Sequence, residues 1–219
     1  MPKKEKKRKQ EKKETLGDAE DILKFGNRHH VIYTDGGCYP NNKSISSKGG
    51  YSAVFISGHL KNKCIYGNLN VDTIYASNIR AEGMAIIRAF EIIYENDKKN
   101  TAEDKPQDWD KITLISDCEF WINMVELYMP RWDKQKFKEK ANPDLTGRLW
   151  MIYNELSQTG DVSLIHMKSH NKSGWKSFKD GTFEKFCYDQ NDYADVLCTY
   201  ARTSVNVGDE VFEDIAYED

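Results

Sequence analysis

Four carboxylates in this chain stand where they could work together. Asp35 ends the apolar run Val31-Ile32-Tyr33-Thr34, and Asp117 ends Lys111–Ser116 (KITLIS). Both runs have the composition of β-strands, so each acid sits at a strand's carboxyl end, where ligands of α/β sheets tend to bind. Glu82 lies one turn before Ala85 in a helix predicted from about Asn78 to Glu95, on the face repeated by Ala85, Ala89 and Ile92. Asp195 falls in the first turn of a last helix predicted over Asn191–Ala201. Carboxylates crowded this closely repel one another unless cations neutralise them. Oxygen-only donors without a His/Cys cluster suit Mg²⁺, with Mn²⁺ as a substitute. Two such ions about 4 Å apart can activate a water and stabilise the leaving oxygen in an in-line phosphoryl transfer. A single Asp at a strand end is usually only a turn residue, so acid placement by itself does not decide the matter.

The elements that must position these acids follow from the hydrophobic pattern. Val31–Thr34, Gly50–Ile56 and Cys64–Leu69 read as three strands joined by short polar loops, the simplest arrangement being an antiparallel meander. The long helix follows, then a polar linker over Lys98–Asp110, the strand Lys111–Ser116 and a helix over Cys118–Tyr128 that Pro130 breaks. Asn142–Leu156 is a further helix with Asp144 in its first turn, Val162–Met167 a fifth strand, and Asn191–Ala201 the last helix. This order predicts an α/β fold: a five-stranded mixed sheet, its first three strands antiparallel, with helices on both faces.

The residues around the acids carry a resemblance. Thr34-Asp35-Gly36-Gly37-Cys38 resembles the first motif of the type 1 ribonuclease H family, and Ser77-Asn78-Ile79-Arg80-Ala81-Glu82 its T/S-N-x-R-x-E. Ser116-Asp117-Cys118 is similar to the strand-four motif, and Asn142-Pro143-Asp144-Leu145 with Arg148-Leu149 to N-x-D-L-x-x-R-L. His170 after Met167-Lys168-Ser169 resembles the mobile-loop histidine, and Asn191-Asp192-Tyr193-Ala194-Asp195-Val196-Leu197 resembles N-x-x-x-D-x-L. Six segments in the family's order, over about residues 30–202, make a specific pattern where each alone would be weak.

The resemblance implies a ribonuclease H-like fold and a metal-dependent endonuclease that cuts the RNA strand of RNA/DNA hybrids, leaving 5′-phosphate and 3′-hydroxyl ends. It implies that Asp35 bridges two Mg²⁺ ions, with Glu82, Asp117 and Asp195 completing the sites and His170 assisting proton transfer or product release. Asp192, one turn away on the same helix face, is a rival for the fourth acid, but the spacing to Asn191 and Leu197 favours Asp195. The lesser alternative for His170 is an ordinary surface-loop histidine.

Discriminating RNA requires contacts to the 2′-hydroxyl. The resemblance gives these to Asn78 and Glu82, with backbone groups near Cys38, and gives a DNA-strand phosphate to Ser77 and Asn41. Asn191 is expected beside the substrate as well. Trp121 either stacks on the DNA sugar-phosphate or belongs to the core. The segment Arg131–Lys140 gathers five basic residues and two aromatics, among them Lys134, Lys136 and Lys138. It stands in the place of the family's basic protrusion, or is a solvated helix face.

Charge and composition fill in the rest. The 219 residues carry a net charge of −3 with 39% hydrophobic and 31% charged residues. Residues 1–14 hold eight Lys/Arg against three Glu, whereas residues 203–219 hold six Asp/Glu and no Lys/Arg. The expected organisation is a basic arm over 1–28, a catalytic domain over 29–203 with an insertion at 171–190, and an acidic tail over 204–219. The arm is a nuclear localisation signal, a phosphate tether or a solubilising tail, and the acidic tail is a candidate competitor with nucleic acid for the basic face. The aromatic-rich insertion is a lid over the hybrid or packs beside the last helix. Five scattered cysteines without a CxxC pair favour a reducing compartment and argue against a structural zinc site. No apolar run is long enough to span a membrane and no signal peptide is visible, so an intracellular monomer in nucleus or cytoplasm is expected. Two other readings compete: a DNA junction nuclease of the same superfamily, and a catalytically silent nucleic-acid-binding module on the same fold.

Overall fold

The computed structural model describes residues 26–40, 47–69, 75–132, 142–168 and 183–215. Asn41, Lys134, Lys136, Lys138 and His170 lie outside these residues, as do most of the basic arm and residues 171–182 of the insertion.

Strand β1 (His29–Tyr39) is the centre of the sheet. It pairs antiparallel with β2 (Lys48–Phe55), which pairs antiparallel with β3 (Lys63–Asn68). On its other side β1 runs parallel to β4 (Lys111–Ser116), and β4 parallel to β5 (Asp161–His166). Between β3 and β4 comes helix α1 (Asn78–Ala102), and after β4 the short α2 (Glu119–Asn123). Helix α3 (Pro143–Ser157) precedes β5, and α4 (Phe183–Ser204) follows it. The predicted meander is observed, and the two acid-bearing strands β1 and β4 are parallel neighbours.

Helices cover both faces, so β1 is buried along nearly its whole length, as expected of a strand with a core on each side. Ile32, Phe55 and Leu114 face α1 and α3, meeting Ile86, Phe90 and Leu149, with Trp121 in the same cluster. Their neighbours Tyr33, Val54 and Ile115 point the other way and meet Ala194, Leu197 and Ala201 of α4. Each large side chain so buried contributes roughly 1.5–3 kcal/mol. Helix α4 rests directly on β2: a methyl group on Gly50 would lie 2.0 Å from the carbonyl oxygen of Cys198. Ser52 Oγ donates to the Ala194 carbonyl at 2.7 Å, fixing the helix along the strand. His30 is fully buried at the start of β1, and burial pushes its imidazole down to about 3, so the ring is neutral.

Two expectations are corrected. The sheet has six strands, in the order β5-β4-β1-β2-β3-β6, because Glu210–Asp214 forms a strand β6 antiparallel to β3. The acids of this segment are paired and not simply solvated. Glu210 accepts from Arg88 and from Tyr51, Glu213 accepts from Tyr66, and Asp214 pairs with Lys63. Net charge had concealed a short amphipathic edge strand. The last helix is also longer than predicted, starting at Phe183 inside the presumed insertion. Beyond α2, the chain continues as a wide turn over Met124–Tyr128 and a tight one over Met129–Arg131, where Pro130 denies the helix a backbone donor.

Candidate active site

Register alone brings two of the acids together. Thr34 on β1 is paired with Ser116, the last residue of β4, so Asp35 and Asp117, each one residue further on, stand side by side where the parallel pairing stops; β1 does not end at Asp35 as expected but runs on to Tyr39 against β2. Glu82 arrives from α1, whose first turn is capped by the Ser77 hydroxyl accepting from the Arg80 backbone N–H. The approach is backbone to backbone, since a methyl group on Gly36 would lie 2.2 Å from both Ala81 C and Glu82 N. One oxygen each of Asp35, Glu82 and Asp117 falls within 4.8 Å of the others. A second group, Asp35, Asp195 and Cys198, meets the same criterion. Asp35 belongs to both.

The electrostatics follow from this crowding. Asp35 and Glu82 are buried, Asp117 is half-buried and Asp195 is exposed. Burial, followed by the charges of Asp117 and Asp195, pushes the Asp35 carboxyl up to about 7. Burial, then Asp35 and Asp117, also raises Glu82 well above the usual carboxylate range. The Glu82 Oε2 atom is buried without a hydrogen-bond partner. Buried like charges and an orphaned acceptor are what a cation would relieve, and hard oxygen donors fit Mg²⁺ or Mn²⁺. The donors are not oxygen alone, however. Cys198 places its Sγ 3.5 Å from Asp35 Oδ2, and burial holds it as a thiol by raising its pKa. Its signal in the sequence was spacing: it lies three residues after Asp195, on the same helix face.

The expected substrate-side residues separate into two sets. Cys38 and Asn78 meet, the Cys38 backbone N–H donating to Asn78 Oδ1 at 2.8 Å and tying the end of β1 to the first residue of α1. Ser77, beside them, is half-buried. Trp121, by contrast, has no exposed surface, and its indole N–H is committed to the Ile79 carbonyl at 2.6 Å. It is a core residue that braces α1 and cannot stack on a sugar. Asn191 is also buried, one turn before Asp195, with its Oδ1 unpartnered. Asp192 is exposed on the same helix, and the donor groups contain Asp195.

One positioning contact escaped the sequence reading. Arg80 grips Asp144 with two bonds, NH1 to Oδ1 at 3.0 Å and NH2 to Oδ2 at 2.6 Å, and NH1 also reaches Asn142 Oδ1 at 3.2 Å. It joins the helix of Glu82 to the start of α3. The two ends are 64 residues apart, and no periodicity marks such a pair.

Comparison with known proteins bears on this arrangement. The RNase H family model matches residues 27–201. A Campylobacter jejuni protein named Ribonuclease HI is 26% identical over 144 residues, covering 66% of this chain and 81% of its own length. Among solved structures, LC9-RNase H1, a type 1 RNase H with the type 2 active-site motif, superposes with a TM-score of 0.52 at 14% identity, covering 83% of this chain and 75% of that one. The protease-reverse transcriptase of prototype foamy virus gives 0.51 at 21% identity, over 81% of this chain and 21% of that one. These likenesses to solved structures show the fold.

Proposed function

This chain belongs to the RNase H family, and on that premise we propose that it is an endonuclease hydrolysing the RNA strand of RNA/DNA hybrids with two divalent cations, leaving 5′-phosphate and 3′-hydroxyl ends. The observation that carries this reading is Asp35, a member of both donor groups, placed where the parallel pairing of β1 and β4 stops.

In this proposal Asp35, Glu82, Asp117 and Asp195 hold Mg²⁺, or Mn²⁺ in its place. When bound, such cations neutralise charge on the phosphate and lower the pKa of the attacking water. The chain's own contribution is preorganisation. Close packing of β1 against α1 fixes Asp35 and Glu82 before any ligand arrives, so little reorganisation remains for the reaction. The joined Cys38 backbone and Asn78 amide lie at the same end of β1 and offer donors and acceptors to a ribose 2′-hydroxyl, the group that distinguishes RNA from DNA. Ser77, Asn191 and, outside the described residues, Asn41, Lys134, Lys136 and Lys138 are proposed to support the duplex, and His170 to move protons. The chain is proposed to act as an intracellular monomer. Among the described residues no helix is long and apolar enough to cross a membrane.

The test uses end-labelled RNA/DNA hybrid beside RNA/RNA, DNA/DNA and single-stranded RNA, each with Mg²⁺, Mn²⁺ or EDTA, and an Asp117→Asn control. Cleavage confined to the hybrid's RNA strand, dependent on metal and absent in the control, is expected. Binding of hybrid with no cleavage under either metal would overturn the catalytic reading in favour of a binding module. Cutting of four-way DNA junctions without hybrid cleavage would favour a junction nuclease.

A further inference from the structure

At the opposite end of the central strands a second cluster has the makings of a metal site. His30 lies near the start of β1, His59 in the turn between β2 and β3, and Asp108 in the segment before β4. One donor atom of each falls within 4.8 Å of the others. Asp35 is five residues further along β1, on the order of 17 Å at strand spacing, so the two clusters are separate.

Proton accounting shows why these groups do not satisfy one another. His30 Nε2 lies 2.9 Å from His59 Nδ1, which lies 3.0 Å from Asp108 Oδ1. A neutral imidazole carries a single N–H. If His59 carries it on Nδ1, that proton must serve both Asp108 and His30. His30 then keeps its own proton on Nδ1, which is buried with only the Ser57 backbone beside it. If His30 Nε2 instead donates to His59 Nδ1, Asp108 Oδ1 faces a nitrogen with nothing to give. Asp108 Oδ1 is in fact buried and accepts no hydrogen bond. No neutral arrangement gives Asp108 Oδ1 a hydrogen bond of its own, whereas a cation would take the lone pairs of Nε2, Nδ1 and Oδ1 together.

Geometry and surroundings agree. Ligand distances near 2.1 Å place two donors of a tetrahedral site roughly 3.4 Å apart, so the His30–His59 and His59–Asp108 spacings need open by only a few tenths of an ångström. Asp108 Oδ2 is oriented by the Asn100 amide at 3.0 Å. The Asn96 amide sits 2.9 Å from His59 Nε2 and 3.3 Å from Asp108 Oδ2, holding the two residues beside each other. His59 and Asp108 are 20% and 33% exposed, leaving an entry path and room for a water as fourth ligand.

We propose that His30, His59 and Asp108 form a second, structural metal site for a borderline divalent cation of the Zn²⁺ class. Two imidazoles and one carboxylate suit such an ion better than Mg²⁺. The cation would pin three segments that otherwise meet through unsatisfied contacts. Scattered cysteines had argued against structural zinc, but that argument reaches only thiolate sites. The inference does not rest on hybrid cleavage.

The full-length chain, stripped with a chelator, would be titrated with Zn²⁺ by calorimetry in excess Mg²⁺, which occupies the carboxylates, and melted with and without Zn²⁺. One Zn²⁺ per chain and a raised Tm are expected. His59→Ala, His59→Gln and Asp108→Asn should each weaken binding by at least about ten-fold and abolish the Tm rise, while Asp117→Asn keeps both. All three cluster variants should retain wild-type hybrid cleavage in Mg²⁺, so this proposal and the catalytic one fail separately. No Zn²⁺ binding, wild-type binding by folded His59→Gln, or binding that disappears in Asp117→Asn would each overturn it.

Discussion

A methyl group on Gly36 would lie 2.2 Å from the backbone nitrogen of Glu82. The strand bearing Asp35 and the helix bearing Glu82 therefore touch without side chains between them, and that contact sets how close the two carboxylates stand. Gly36→Ala should force α1 away from β1. Overpacking typically costs about 1–3 kcal/mol, and the upper part of that range applies where backbone meets backbone. Urea unfolding measures the loss of stability. Hybrid cleavage, assayed where the variant is still fully folded, should fall by more than ten-fold if spacing of the acids matters. A variant with wild-type stability and rate would mean that α1 is free to shift.

The raised carboxyls set a pH dependence with a definite sign. Asp35 has a folded pKa of about 7 against an ordinary 3.8, so between those values the folded chain holds more protons than the unfolded one. Stability is then present below the ordinary value and lost as pH rises through the folded one. Metal-free protein should have a higher Tm at about pH 5.5 than at about pH 8, with Asp35→Asn flattening the difference by several degrees. Added Mg²⁺ should restore the Tm at the higher pH. Scanning calorimetry in EDTA and in Mg²⁺ tests both, and a Tm that rises with pH without metal would contradict the crowding argument.

The part of this site that could be read in the sequence was the part fixed by short-range pattern. Asp35 and Asp117 each follow an apolar run that is continuous because both faces of the strand are covered, and Glu82 follows from helical spacing. What stayed hidden depended on contacts between distant segments. Cys198 joins Asp35 only because Gly50 lets α4 lie flat on β2. Trp121 became core because α1 and α2 meet over it. Strand β6 was hidden by its charge, since four of the six acids that suggested a solvated tail lie in or beside a strand and three of them have partners on the neighbouring elements.

The Arg80–Asp144 pair makes a prediction in the opposite direction on the pH scale. Hydrogen bonds from Arg80 hold the Asp144 carboxyl below its ordinary value. Such a group stabilises the fold above the unfolded pKa, and the contribution is lost as pH falls through the folded one. Arg80 is 12% exposed but Asp144 is 43% exposed, so solvent screening reduces the coupling to about 1 kcal/mol. A double-mutant cycle with Arg80→Met and Asp144→Asn should give that coupling near neutral pH and close to none in strong acid. A coupling that persists in acid would assign the contact to packing and not to charge.

Strand β6 can be tested by removing it. Arg88 makes two 2.8 Å bonds to Glu210, and the Tyr51 hydroxyl donates to the same carboxylate at 2.8 Å. The Tyr51 phenol, pushed up by burial and then by Glu210, stays protonated and keeps donating. Glu210→Ala would take the acceptor from Arg88 Nε and Nη2 and from the Tyr51 hydroxyl, leaving Arg88 only Glu91 and Glu95, at a cost of about 2 kcal/mol. Ending the chain at Asn206 would also bare the edge of β3, an invitation to pair with other chains. The truncated protein should lose about 3 kcal/mol or more and aggregate at concentrations the full chain tolerates, as urea unfolding and light scattering would register. A solvated tail that competes with nucleic acid predicts otherwise: unchanged stability and tighter hybrid binding on truncation. Because the acids of β6 are engaged with Arg88, Tyr51, Tyr66 and Lys63, the loss of stability should dominate, and hybrid affinity measured on the still-folded fraction should stay within about two-fold.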